Sequence, residues 1–65
     1  MKRSWEREKA YCARRAQELS AEMEAAIECV DRGRFKAAYE ASARYMTQAQ
    51  RRPIYIRFLK KVVQA

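Results

Sequence analysis

The stretch Arg51-Arg52-Pro53-Ile54-Tyr55-Ile56-Arg57-Phe58-Leu59-Lys60-Lys61-Val62-Val63 decides how this chain is built. After the proline, Ile54, Ile56 and Phe58 alternate with Tyr55 and Arg57, and most of these are strand-forming residue types. The alternation predicts a short strand over residues 54–59. Helix is the competing reading, because Ile54, Phe58, Leu59, Val62 and Val63 also fit a 3.6-residue period. A lone strand leaves its hydrogen-bonding edges unpaired, and even an isolated two-stranded hairpin is marginal in water. The strand reading therefore calls for a second chain, most economically a two-fold dimer in which the strand pairs antiparallel with its copy.

Upstream, Ser4 is a good N-cap, and Glu6 and Glu8 complement the dipole at a helix start. Small and apolar residues then recur at Cys12, Ala16, Leu19, Met23, Ile27 and Val30, spacings that make one packing seam. Helix 1 is expected from about residue 5 to residue 31. The only glycine, Gly33, stands where a left-handed C-cap is wanted. Phe35, Ala38, Tyr39, Ser42, Tyr45 and Ala49 form a second helical stripe, so helix 2 is expected over about 34–50, ending before Pro53. The short link folds the two helices back as an antiparallel hairpin. The expected fold is thus mainly α: a two-helix antiparallel hairpin followed by one short C-terminal β-strand, intertwined as a homodimer, with residues 1–65 as one domain. Its core and dimer contacts are Cys12, Ala16, Leu19, Met23, Ile27 and Val30 on helix 1, Phe35, Tyr39 and Tyr45 on helix 2, and Ile54, Ile56 and Phe58 on the strand.

The size of the chain points the same way. A domain of 65 residues buries only about 60% of the surface that its unfolded chain exposes. Below roughly 70–80 residues a disulfide, a metal or oligomerisation usually supplements the core. Cys12 and Cys29 are the only cysteines and histidine is absent, which is too few ligands for a zinc site. On one helix these cysteines stand about 25 Å apart, beyond the roughly 7 Å that a disulfide spans between Cα atoms. They are expected to be small buried residues in a reducing cytoplasm. Oligomerisation remains, and no cofactor is expected.

Charge is distributed unevenly. Residues 1–16 carry six basic and two acidic groups, residues 17–31 carry five acids and no base, and residues 32–65 carry nine bases and one acid. The net charge of +7 favours nucleic acid, anionic surfaces or acidic proteins as partners. The acidic belt of Glu18, Glu22, Glu24, Glu28 and Asp31 is matched either by helix 2 of the same hairpin or by a second subunit. No apolar run approaches a signal sequence or a membrane span, so a cytoplasmic protein without a membrane role is expected.

Catalysis finds little to work with. There is no histidine to serve as base and no glycine-rich phosphate loop. The expected role is that of a non-enzymatic, homodimeric interaction protein. Candidate partner or nucleic-acid contacts are the exposed Tyr11 and Tyr55, the pairs Arg14 with Arg15 and Arg51 with Arg52, and Arg57 with Lys60 and Lys61. Arg32, Arg34 and Lys36 form a further basic group at the turn. A basic nucleic-acid-binding regulator is the alternative to a protein-binding module.

Gly33, Phe35 and Ala38, with Pro53 afterwards, resemble the second half of a tetratricopeptide repeat. Ser42 replaces the aromatic four residues after Ala38, and the proline comes late. Two helices followed by one strand in a chain of this length also resembles the small early lytic-development proteins encoded between the exonuclease and excisionase genes of lambdoid phages. That resemblance rests on architecture and on no motif. It implies a cytoplasmic dimer, expressed early in infection, that promotes lytic growth through host protein partners.

Overall fold

The computed structural model describes the backbone of residues 2–64 and the side chains of residues 5–64. Three helices follow one another, α1 Lys2–Cys29, α2 Arg32–Ser42 and α3 Gln48–Gln64, and the described residues contain no strand. The residues expected as a strand, 54–59, lie within α3. The two-helices-and-a-strand plan that carried the phage resemblance is therefore not the plan of this chain.

α1 begins before Trp5, at Lys2, and its first turn contains no acid. The Ser4 side chain, on which the expected N-cap rests, lies outside the described residues. At its other end α1 stops at Cys29 and does not reach residue 31. The Asp31 amide bonds to the Ala26 carbonyl (2.9 Å) and the Val30 amide to the Ile27 carbonyl (3.2 Å), the paired bonds of a Schellman ending. The left-handed residue this ending needs is Val30, with φ of 52°. Gly33 has no positive φ and sits inside the first turn of α2. Asp31 makes the difference. Its carboxylate accepts the Arg34 amide at 3.1 Å and caps α2, which moves the junction two residues ahead of the glycine.

α2 ends eight residues earlier than its stripe suggests. The Tyr39 carbonyl, which would take the Ala43 amide in a continuing helix, already accepts the Ser42 hydroxyl at 2.7 Å and the Arg51 guanidinium at 2.9 Å. The Ala43 amide turns to Glu40 instead, and Tyr45 lies in the turn that follows. A new helix then starts at a capping box: Thr47 Oγ1 accepts the Gln50 amide, and Gln50 Oε1 accepts the Thr47 amide. Pro53 falls in the second turn of α3. The bond that it forfeits is the one to the Ala49 carbonyl, at an exposed residue close to the helix start. Water can satisfy that carbonyl, so the proline does not end the helix.

α2 packs antiparallel on the C-terminal half of α1, and α3 returns alongside both. The core consists of Leu19, Met23, Ala26 and Ile27 from α1, Phe35 and Ala38 from α2, and Phe58 from α3. Phe58 lies flat on Phe35, with ring centroids 4.1 Å apart and planes within 4°. Ile54 and Val62 pack against the rim of this cluster. The helical period of 54, 58 and 62 thus finds an apolar partner inside its own chain, which is why it prevails over the alternation. Ile56 faces outward. Ile56→Lys, which would break an intersubunit strand, is expected to change the urea-denaturation stability by less than about 0.5 kcal/mol. A loss of several kcal/mol would contradict the helical placement.

The molecule is elongated, 49 × 19 × 13 Å, because α1 is longer than the helices that cover it. Leu19, Met23 and Ile27 are buried and Val30 is half-buried, but farther up the seam Ala16 is only half-buried and Cys12 is exposed. Cys29 is exposed as well, so neither cysteine is the buried apolar residue expected. The seam continues in sequence beyond Ala16, but the turn after α2 ends its cover. Tyr45 reaches back to Tyr11, edge to face at 6.2 Å.

Candidate functional site

Folding divides the basic residues into two groups. The acidic belt of α1 is matched largely from within the chain: Glu18 by Arg15 (2.6 Å), Glu22 by Arg34 (2.6 Å) and Glu24 by Arg57 in a two-pronged bond (2.5 and 2.6 Å). These bonds raise the three guanidinium groups above their ordinary pKa. All three pairs are exposed, so they set register more than they stabilise. Arg51 is engaged differently. Its guanidinium lies 4.1 Å over the Tyr39 ring, donates to the Tyr39 carbonyl and donates to the hydroxyl of the fully buried Ser42 at 3.1 Å. Arg51 is a strut between α2 and α3, with its Nε and Nη2 engaged inside the fold. Sequence reasoning grouped it with Arg52 because the two are adjacent. Ser42, the acceptor that sets them apart, was legible only as a small residue on a stripe.

Arg15, Arg51 and Arg57 are thus occupied. Arg14 rests over the Tyr11 ring at 5.6 Å, and Arg52, Lys60 and Lys61 are exposed without an ion pair among the described residues. Tyr11 and Tyr55 are exposed as expected, at 46% and 41%. Tyr39 and Tyr45 are half-buried against the core.

Two surfaces result. On the outer side of α3, Ile56, Leu59 and Val63 stand one above another at spacings of three and four, with exposures of 43%, 43% and 84%. Arg52, one turn before Ile56, and Lys60 frame this ridge, and α3 contains no acid. Residues at i, i+3 and i+7 are the anchors by which an amphipathic helix enters a partner's groove. On the other flank, between α2 and α3, a groove of about 350 Å³ is lined by Phe35, Tyr39, Tyr55 and Phe58, with Arg32 and Lys36 at its edge.

No group of three or more Cys, Asp or Glu side chains among the described residues could hold a metal ion. No helix among them is long and apolar enough to cross a membrane. Comparison with protein-family models, with curated proteins and with solved structures returned no match to this chain.

Proposed function

We propose that the chain works by binding and not by catalysis, as a small docking module that offers the outer ridge of α3 to an acidic protein partner. The observation that carries this reading is an exposed aliphatic ridge on a helix with five basic residues and no acid. Removing Ile56, Leu59 and Val63 from water would contribute about 3 kcal/mol, since each starts roughly half exposed or more. That alone corresponds to weak affinity. Arg52 and Lys60 must supply the remainder, which selects a partner whose groove has an acidic rim.

A second copy of α3 does not fit that description. Face to face, two such helices would bring together surfaces with five bases and no acid each, and three of the acids of α1 already have partners in their own chain. The homodimer expected from the sequence had two supports, an orphan strand and a core small for one chain. Only the second remains.

The reading is tested by comparing the proteins retained from cell extract by the wild-type chain and by Ile56→Ser/Leu59→Ser, together with the sedimentation mass of each. Both substitutions are neutral and solvent-facing, so the fold and the charge are kept. Loss of specific retained proteins with the ridge variant, at unchanged monomeric mass, is the expected result. Retention of the same proteins by both chains would overturn it, and a dimer that dissociates in the ridge variant would reassign the ridge to self-association.

A further inference from the structure

We propose that the groove between α2 and α3 is a stacking site for single-stranded nucleic acid, separate from the α3 ridge and independent of the docking role proposed for it. Its floor is rigid, because Phe35 and Phe58 are buried and lie flat on one another. Its wall is aromatic. The Tyr55 and Tyr39 rings are 5.2 Å apart with planes at 44°, and Tyr55 also approaches Phe35 at 6.3 Å. The Arg51 guanidinium already lies over the Tyr39 ring. Tyr55, 41% exposed, is therefore the platform left open to a visiting ring.

Charge indicates what kind of ring that is. Arg32 and Lys36 stand one turn apart on α2, at the groove edge, both exposed and without an ion pair among the described residues. No cation of α3 lines the groove, since Arg52 belongs to the outer ridge. Two cations of α2 thus stand across the groove from the aromatic platform on α3. One acid, Glu40, lines the groove, and it disfavours a phosphate beside the Tyr39 end. A base stacked on Tyr55, with its backbone running past Arg32 and Lys36, uses every one of these features except Glu40. A duplex keeps its bases stacked on each other and could use only the cations. An acidic peptide would use the cations and leave the platform without a defined partner.

The test is fluorescence anisotropy of labelled dT12 and of a duplex of equal length, titrated with the full chain over a range of salt. The single strand is expected to bind more tightly than the duplex. Tyr55→Ala should weaken single-strand binding about 5- to 150-fold, the equivalent of losing one base–aromatic stack, and Tyr55→Phe should retain it because stacking needs the ring and not the hydroxyl. Arg32→Gln/Lys36→Gln should weaken binding and lower the salt slope by about 1.4. Circular dichroism melts establish that each variant is folded. Ile56→Ser/Leu59→Ser should bind dT12 normally, so failure of the ridge reading and failure of this one are separable. Equal affinity for strand and duplex, indifference to Tyr55→Ala in a folded variant, or displacement of dT12 by an equimolar glutamate- and tyrosine-rich peptide would each overturn the proposal.

Discussion

Phe35→Ala is expected to cost about 3–5 kcal/mol, the range for emptying a buried aromatic site. Against a total stability of roughly 3–10 kcal/mol for a chain of this length, that removes between about a third of the stability and all of it. The size of the effect follows from position as much as from volume. Phe35 is 2% exposed and touches three other rings, Tyr39 at 5.7 Å, Tyr55 at 6.3 Å and Phe58 at 4.1 Å. Two of these belong to α3, which has few other anchors: the exposed Arg57–Glu24 pair, the Arg51 strut, and Ile54 and Val62 at the core rim. Without the ring, α3 is a solvated helix of 17 residues, a length at which an isolated helix is marginal. Urea denaturation followed by helical ellipticity should show a lowered starting signal and a shifted or absent transition. An unchanged midpoint would mean that α3 is not held by the Phe35–Phe58 stack.

Met23→Asp should abolish the cooperative thermal transition. Met23 is 0% exposed, at the centre of the α1 contribution to the core. A carboxylate there would be enclosed by Leu19, Ile27 and the rings of α2 and α3 with no cation in the cluster, and an unpaired buried charge costs several kcal/mol at least. Met23→Leu, which nearly conserves volume, should cost less than about 1.5 kcal/mol. Cys12→Asp should be tolerated, although Cys12 lies on the same sequence seam, because α2 does not extend far enough to cover it. Calorimetry on the three variants checks both statements. A folded Met23→Asp chain would remove α1 from the core, whereas an unfolded Cys12→Asp chain would mean that the upper seam is covered, as in a dimer.

The seam of α1 and the stripe of α2 were legible because a helical period is a local property. Leu19, Met23 and Ile27, and likewise Phe35 and Ala38, fall on one face whatever the rest of the chain does. Two local signals were present and outweighed. Asp31 is a better cap than Gly33 is a terminator, and the box from Thr47 to Gln50 marks a helix start inside the helix expected over 34–50. Pro53 suggests a full stop because its cost in a helix interior is large. That cost falls near an exposed helix start, where the forfeited carbonyl can turn to water.

By itself, then, the order of residues determined that the chain is basic, that it has two short-linked helices in its first two thirds, and which faces of them are apolar. Only the tertiary structure decided that residues 54–59 are helix, because alternation and helical period are near balance there until Phe58 finds Phe35. It also decided which cations are free. Glu18, Glu22, Glu24 and Ser42 select Arg15, Arg34, Arg57 and Arg51, and three of these four pairings join different helices. The surface left over, with Tyr55, Arg52, Lys60 and the α3 ridge, is a consequence of those choices, since a side chain is available to a partner only after its own chain has declined it.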